Sequence, residues 1–111
     1  MNVMNNKIIA NELIPAHITH PGEIIKDEIE FRGISQQALS DQTGIAYSAI
    51  NEMLNGRRVI TEKSALLFEA ALGIDAETIM RMQYRYNMLT AKKDSSFMAR
   101  LAKIRKIAAA L

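Results

Sequence analysis

The chain of 111 residues contains no cysteine and no tryptophan, and it has only two histidines and two prolines. Without cysteine the protein cannot form a disulfide framework or offer a thiolate nucleophile. No stretch approaches the ~18 consecutive apolar residues that a membrane-spanning helix needs. The N-terminal segment MNVMNNK also lacks the apolar core of a secretion signal, so the sequence predicts a cytoplasmic protein that does not enter a membrane.

The chain has an ordinary globular composition, with 49% hydrophobic and 23% charged residues, and its length predicts one small domain.

The net charge of +2 hides an asymmetry between the two halves of the chain. Residues 1–55 carry 3 basic and 7 acidic side chains, whereas residues 56–111 carry 11 basic and 5 acidic ones. Such a division favours a polyanionic or acidic partner, although solvated surface charge is the commoner explanation.

Helix boundaries can be predicted from capping residues and glycines. An N-cap oxygen accepts hydrogen bonds from the unpaired N–H groups of a helix start, and glycine suits the left-handed position after a helix end. Good caps stand at Ser35, Thr61 and Asp75, and glycines stand at residues 33, 44, 56 and 73. The pattern predicts helices at residues 21–32, 36–43, 46–55, 62–72 and 76–92, and a sixth at about 96–110 capped by Ser95 or Ser96.

The N-terminal segment differs from the helical part of the chain. Alternation of β-branched residues is nearly absent after residue 20, so we predict an all-α protein. Before that point Pro15 disfavours a helix, and the segment is predicted to be an arm, either a short strand or an ordered loop. We therefore expect an N-terminal arm at 1–20, a helical domain at 21–93 and a C-terminal amphipathic helix at 94–111.

Residues 36–55 have the pattern of a helix-turn-helix. Two short helices meet at Gly44, which supplies the turn, and Ser40 is small enough for a close helix crossing. The apolar face of the second helix contains Ala46, Ala49, Ile50, Met53 and Leu54, and its polar face contains Tyr47, Ser48, Asn51, Glu52 and Asn55. A helix of this kind can enter the DNA major groove with its polar face outward. The alternative is a plain helical hairpin in a small bundle.

Several short motifs together resemble a known family. They are HPGE at 20–23, GISQQALS at 33–40, LNGRR at 54–58, ALGI at 71–74 and MQYRY at 82–86. In this order they are similar to the HigA-type antitoxins, also called virulence-associated protein I, of the Xre or Cro/C1-type repressors. The resemblance implies a λ-repressor-like five-helix domain that binds operator DNA as a homodimer. It also implies neutralisation of HigB, a ribosome-dependent mRNA-cleaving toxin, and autoregulation of the operon.

The resemblance also assigns the DNA-binding residues by position. They are Gln36, Tyr47, Ser48, Asn51, Glu52, Asn55, Arg57 and Arg58. Gln36 is the first residue of the helix that crosses the DNA backbone, and the polar side chains of the next helix face the bases. An Asn can pair with adenine and a Glu can accept from cytosine, whereas arginines after the helix suit phosphates. For each of them the alternative is a solvated surface side chain.

The recognition helix departs from this family pattern in its charge. It contains no Arg or Lys, and Glu52 is its only charged residue. Ala46, which precedes it, cannot cap it as the serine of many relatives would. We therefore expect Arg57, Arg58 and more distant bases to supply most of the DNA affinity, with a strong dependence on salt.

The sequence gives little support to a metal site or to catalysis. His17, His20 and Glu23 are spaced by three residues, but Pro21 interrupts them and places His20 at the start of the first helix. We therefore predict that His20 caps or precedes this helix rather than binding a metal. There is no glycine-rich phosphate loop and no nucleophile motif. We expect no catalytic residue, no cofactor and no metal, so the protein is not predicted to be an enzyme.

Two apolar surfaces are candidates for a dimer or partner interface. The predicted fifth helix carries two apolar stripes, of which one suffices for packing on its own domain. The last helix has an apolar face beside basic residues. The interface candidates are Met80, Tyr84, Met88, Phe97, Leu101 and Ile104. The alternative is that these residues pack on their own domain. For the whole protein, the alternatives to an antitoxin repressor are a regulator without a toxin and a toxin-neutralising module with little DNA binding.

Overall fold

A computed structural model of the chain describes residues 14–111. This part of the chain contains six α-helices and no strand, which confirms the all-α prediction. The helices are α1 (Pro21–Arg32), α2 (Gln36–Thr43), α3 (Tyr47–Leu54), α4 (Glu62–Leu72), α5 (Ala76–Lys93) and α6 (Ser95–Ala110). Residues 14–20 form neither a helix nor a strand. The rest of the predicted arm lies outside the described residues.

Side-chain caps start most of the helices at the predicted positions. Ser35 Oγ accepts a hydrogen bond from the N–H of Ala38 at 3.0 Å, and Thr61 Oγ1 accepts one from Ser64 at 3.3 Å. Asp75 does the same for Thr78 at 2.9 Å. The prediction that Ser95 or Ser96 caps α6 is wrong, because the carboxylate of Asp94 accepts the hydrogen bond from Phe97 at 3.0 Å. Three good capping residues follow one another here, and the carboxylate interacts best with the positive end of the helix dipole.

The apolar core belongs to a unit formed by Thr19–Tyr86. Its buried apolar side chains are Ile25, Ile29, Leu39, Ile50, Met53, Leu54, Ile60, Ala65, Phe68, Leu72, Ala76 and Ile79. They include Ile50, Met53 and Leu54 of the apolar face predicted for the second helix, whereas Ala49 is partly buried and Ala46 is exposed. Gln83 is also buried, and its Oε1 accepts a hydrogen bond from the N–H of Ile60 at 2.9 Å. A core glutamine is tolerated because this bond satisfies an acceptor that burial would otherwise leave unpaired.

The second unit comprises Asn87–Leu111 and the described residues of Met1–Ile18. In this unit Lys93 donates a hydrogen bond to the carbonyl of Ala16 at 2.9 Å. None of the residues of α6 is buried. Within residues 14–111, no helix is both long and apolar enough to cross a membrane.

Candidate nucleic-acid interface

The helices α2 and α3 are joined by a tight turn that fixes their crossing. Gly44 ends α2 in the left-handed conformation, with φ of 76°. Ser40 Oγ donates a hydrogen bond to the carbonyl of Ile45 at 2.6 Å, so Ser40 stabilises the turn in addition to being small. Leu39 of α2 and Ile50 of α3 are fully buried beneath the turn. These contacts orient α3 rigidly and leave its polar face outward.

The outward face of α3 carries the predicted base-contacting residues. Tyr47 and Ser48 are exposed at the start of the helix, and Asn51 and Glu52 are half-buried one turn later. No side chain caps α3 at Ala46, as predicted. The polar face is thus exposed at the start of α3 and partly accessible one turn later, where base edges in the major groove could be read.

Gln36 and Asn51 form a pair that joins α2 to the middle of α3. Asn51 Nδ2 donates a hydrogen bond to Gln36 Oε1 at 3.0 Å. The side-chain amide of Asn51 carries two hydrogens, so one can still be donated to an acceptor on DNA. The pair fixes the orientation of the Asn51 amide, and an amide ordered in this way would lose less entropy on contacting a base.

The loop after α3 places Arg57 and Arg58 at the end of the recognition helix. Gly56 has φ of 74°, and Arg57 N–H donates to the carbonyl of Glu52 at 2.8 Å. Gly56 N–H donates to the carbonyl of Met53 at 3.2 Å, which completes a Schellman motif. Both arginine side chains are exposed. We call residues 56–58 the arginine loop.

Glu52 and Arg58, which the sequence treated as independent contacts, form an ion pair. Glu52 Oε1 lies 2.8 Å from Arg58 Nε and 2.6 Å from a terminal nitrogen of the guanidinium. The pair cancels one positive charge of the arginine loop in the protein without DNA. Arg57 is exposed and forms no ion pair with any described residue, so it is the loop cation most available to a phosphate.

Lys26 is a candidate interface residue that the sequence did not predict. Its Nζ lies 3.4 Å from Oδ1 of Asn55, whose Nδ2 donates to the carbonyl of Asn51 at 2.8 Å. The contact brings a cation from α1 to the end of α3. In the sequence Lys26 lies within a run of charged residues typical of a solvated helix face, and only the packing of α1 against α3 distinguishes it.

His20 lies behind the arginine loop and caps α1, which confirms the capping prediction. The ring Nδ1 of His20 accepts a hydrogen bond from Gly22 N–H at 2.9 Å. The backbone N–H of His20 donates to the Glu23 carboxylate at 2.9 Å. Burial lowers the pKa of His20 below its ordinary value, although the Glu23 carboxylate and a hydrogen bond to the Arg58 backbone act in the opposite direction. No group of three His, Cys, Asp or Glu in the described part of the chain could hold a metal ion.

The predicted interface residues lie mostly on the surface. Tyr84 and Met88 of α5 are exposed, as are Phe97 and Ile104 of α6, whereas Met80 and Leu101 are partly buried. In the Thr19–Tyr86 unit, α4 and α5 form an open groove with a volume of about 650 Å³. It is lined by Glu62, Leu66, Ala76, Glu77, Met80, Arg81 and Tyr84. An exposed apolar groove of this kind is typical of a surface that contacts another protein.

Comparison with known proteins agrees with this geometry. Residues 25–79 match the family described as Helix-turn-helix. Virulence-associated protein I of Dichelobacter nodosus is 36% identical over 76 residues, which are 68% of this chain and 70% of that protein. An addiction module antidote protein of the HigA family from Coxiella burnetii superposes with a TM-score of 0.68 and 31% identity, over 81% of this chain and 94% of that one.

A Pseudomonas aeruginosa protein in complex with its 18-base-pair operator DNA is also similar, with a TM-score of 0.63 and 27% identity. The match covers 69% of this chain and 84% of that one. The matched family and the structural relatives are antidote, antitoxin and DNA-bound proteins, which agrees with the prediction that the chain is not an enzyme. The chain belongs to the HigA-type antitoxin family of helix-turn-helix proteins.

Proposed function

We propose that the protein is a transcriptional repressor that binds the operator of its own operon as a homodimer. The observation that carries this proposal is the continuous surface formed by the Gln36–Asn51 pair, the exposed start of α3 and the arginine loop. It combines side chains suited to base edges with cations suited to phosphates, in the order that a helix in the major groove requires. Binding to chromosomal operator DNA would place the protein in the cytoplasm.

Within this surface the predicted residues take separate roles. Tyr47, Ser48 and Asn51 face the bases, and Gln36 bridges the backbone and Asn51. Arg57 and Arg58 contact phosphates, which fix the register of the protein without reading the sequence. Asn55 ends α3 through its bond to the Asn51 carbonyl and positions Lys26 beside the same phosphates. Glu52 reads a base only if Arg58 releases it.

The DNA-binding proposal is tested with two variants and two duplexes, one from the region upstream of the gene and one of random sequence. Arg57→Ala should weaken binding to both duplexes and lower the slope of log K against log salt by about 0.9, as the loss of one phosphate contact predicts. Asn51→Ala should weaken only the specific complex, by roughly 5- to 150-fold, the discrimination of one bidentate base contact. Fluorescence anisotropy gives both values. Absence of a specific complex at low salt would overturn the proposal.

We also propose that the repressor acts as the antitoxin of a type II pair and neutralises a HigB-like, mRNA-cleaving toxin. Family membership supports this proposal. Toxins of this type usually precede their antitoxins in the operon, so the test is to express the product of the upstream gene with and without this chain. Restored growth and a copurified complex are expected. A regulator without a toxin would have no toxic gene at that position.

A toxin-neutralising module with little DNA binding is the second candidate, because the Glu52–Arg58 ion pair reduces the positive charge at the recognition helix. The two candidates give opposite results in the anisotropy experiment. The repressor forms a specific complex with the upstream duplex, whereas the module forms only the complex with the toxin.

A further inference from the structure

The HPGE motif at the start of α1 is not on the polar face of α3, but it contacts the end of the recognition helix from behind. Gly22 lies so close to α3 that a Cβ atom at this position would be 1.8 Å from the carbonyl oxygen of Met53. Met53 itself accepts the hydrogen bond from Gly56 that begins the arginine loop. The start of α1 is thus in direct contact with the backbone from which the loop leaves α3.

The imidazole of His20 links three parts of this region. Its Nδ1 accepts the hydrogen bond from Gly22 N–H, so in the neutral ring the proton is on Nε2. The Arg58 backbone acts on the ring in the direction that raises its pKa, as a carbonyl oxygen facing Nε2 would. The ring also meets Tyr86 of α5 edge to face, with centroids 4.8 Å apart and planes at 79°.

The arginine loop packs on the same histidine. A Cβ atom at Gly56 would lie 3.6 Å from Cβ of His20, and the side chain of His20 is almost completely buried, with 3% of the residue exposed. The ring therefore lies between Gly56 of the arginine loop and Tyr86 of α5. Through this packing the position of the ring bears on that of the loop backbone.

We propose that His20 is a positioning residue for DNA binding, which holds the arginine loop in the conformation that presents Arg57 and Arg58 to phosphates. The inference rests on the proposed DNA binding and adds a residue that does not touch DNA. Without the imidazole the loop loses this packing and must be ordered when DNA binds. Ordering one further residue weakens binding by about tenfold.

The test uses His20→Asn in the full chain. Asn is a good N-cap and can still accept the hydrogen bond from Gly22, but its shorter side chain cannot reach Arg58 or Tyr86. The matched control is Asp75→Ala, which removes a cap from α5 at a site away from the loop. We expect His20→Asn to bind a random-sequence duplex about tenfold more weakly than the wild type, and Asp75→Ala to bind as the wild type does.

A double-mutant cycle separates positioning from a general loss of stability. His20→Asn is combined with Arg57→Ala and Arg58→Ala, and affinity is measured well below the melting temperature of every variant. If His20 acts through the arginines, its effect should disappear once they are removed, because coupled residues are not additive. An equal effect in both backgrounds, or wild-type binding by His20→Asn, would overturn the inference.

Amide hydrogen exchange, measured in the protein without DNA, tests the positioning of the arginine loop independently of the proposed function. In His20→Asn the exchange of the Gly56 and Arg57 amides should accelerate, while amides in the middle of α4 stay unchanged. Unchanged loop exchange would contradict positioning even if the protein binds DNA. If exchange is faster in His20→Asn but the wild type does not bind DNA, the positioning by His20 stands and the proposed function is refuted. If His20→Asn does not fold, Tyr86→Leu removes the ring contact alone and should accelerate the same amides.

Discussion

Glu52 is the only charged side chain of α3, and its ion pair with Arg58 lies where the DNA backbone would pass. Both partners are about half exposed, so the pair itself adds little to stability. We expect its effect on DNA binding to be larger, because a carboxylate near phosphates is repelled and Arg58 must leave it before it can contact them. Glu52 is therefore expected to weaken sequence-independent binding.

Replacing Glu52 by Gln should strengthen binding to a random-sequence duplex by roughly three- to tenfold at low salt and steepen the salt dependence, as one more available cation predicts. Anisotropy titrations between 50 and 200 mM salt, about the range in which such slopes are measured, give both values. Glu30→Gln is the matched control, since Glu30 is an exposed acid of α1 away from the loop. Equal gains in the two variants would assign the effect to net charge instead of to the Arg58 pair.

His20 should also make stability depend on pH. Its pKa is lowered in the folded protein, mainly by burial, whereas the unfolded chain has the ordinary value of about 6.5. Between these values the unfolded chain binds more protons, so the contribution of His20 is complete above about pH 6.5 and is lost as the pH falls through the folded pKa. Protonation also removes the acceptor that Nδ1 offers to Gly22.

Urea unfolding at pH 7.5 and 5.5 should show a decrease in the free energy of unfolding for the wild type that is smaller in His20→Asn. Each unit of pKa shift corresponds to about 1.4 kcal/mol of this difference. The other titratable groups are common to both proteins, so their contributions cancel in the comparison. Parallel pH profiles would mean that the ring is readily protonated in the folded state.

At the scale of the elements, local signals determined what could be predicted. Caps and glycines act within a few residues, so the five helices of the domain were predicted close to their observed ends. The site pairs act over longer distances: Gln36 and Asn51 are 15 residues apart, and Lys26 and Asn55 are 29 apart. No periodicity specifies such contacts, because they depend on how α1, α2 and α3 pack. Gln83 was missed for the same reason.

The cap of α6 gives a test at this scale. An N-cap contributes about 0.5–2 kcal/mol, and an isolated helix of this length is marginal, so Asp94→Ala should lower the helicity of α6. Because no residue of α6 is buried, the cooperative unfolding of the core should hardly change. Thr61→Ala removes the cap of α4, which carries core residues, and should lower the melting temperature instead. NMR chemical shifts of the α6 backbone distinguish the two variants.

For the whole molecule, the surface apolar residues bear on the proposed homodimer. Tyr and Met are enriched at the centres of protein interfaces, and the groove between α4 and α5 exposes Leu66 and Tyr84 to solvent. In the second unit, α6 has Phe97 and Ile104 exposed on one face. Such surfaces are costly in a monomer, so we expect one or both to be covered by a second copy of the chain.

Sedimentation of the wild type should give twice the monomer mass of 12.4 kDa. Tyr84→Glu should give a monomer if the groove forms the interface, and Ile104→Glu should do so if α6 forms it.

Symmetric dimers contact two inverted half-sites about 34 Å apart, and the second contact is effectively intramolecular. The monomeric variant should therefore bind the full operator about 10²- to 10⁴-fold more weakly, while its affinity for a single half-site stays unchanged. Phe31→Glu is the matched control, because Phe31 is 88% exposed on α1 and outside both surfaces. A wild type that sediments as a monomer would contradict the dimer, and dimers in both variants would exclude these two surfaces.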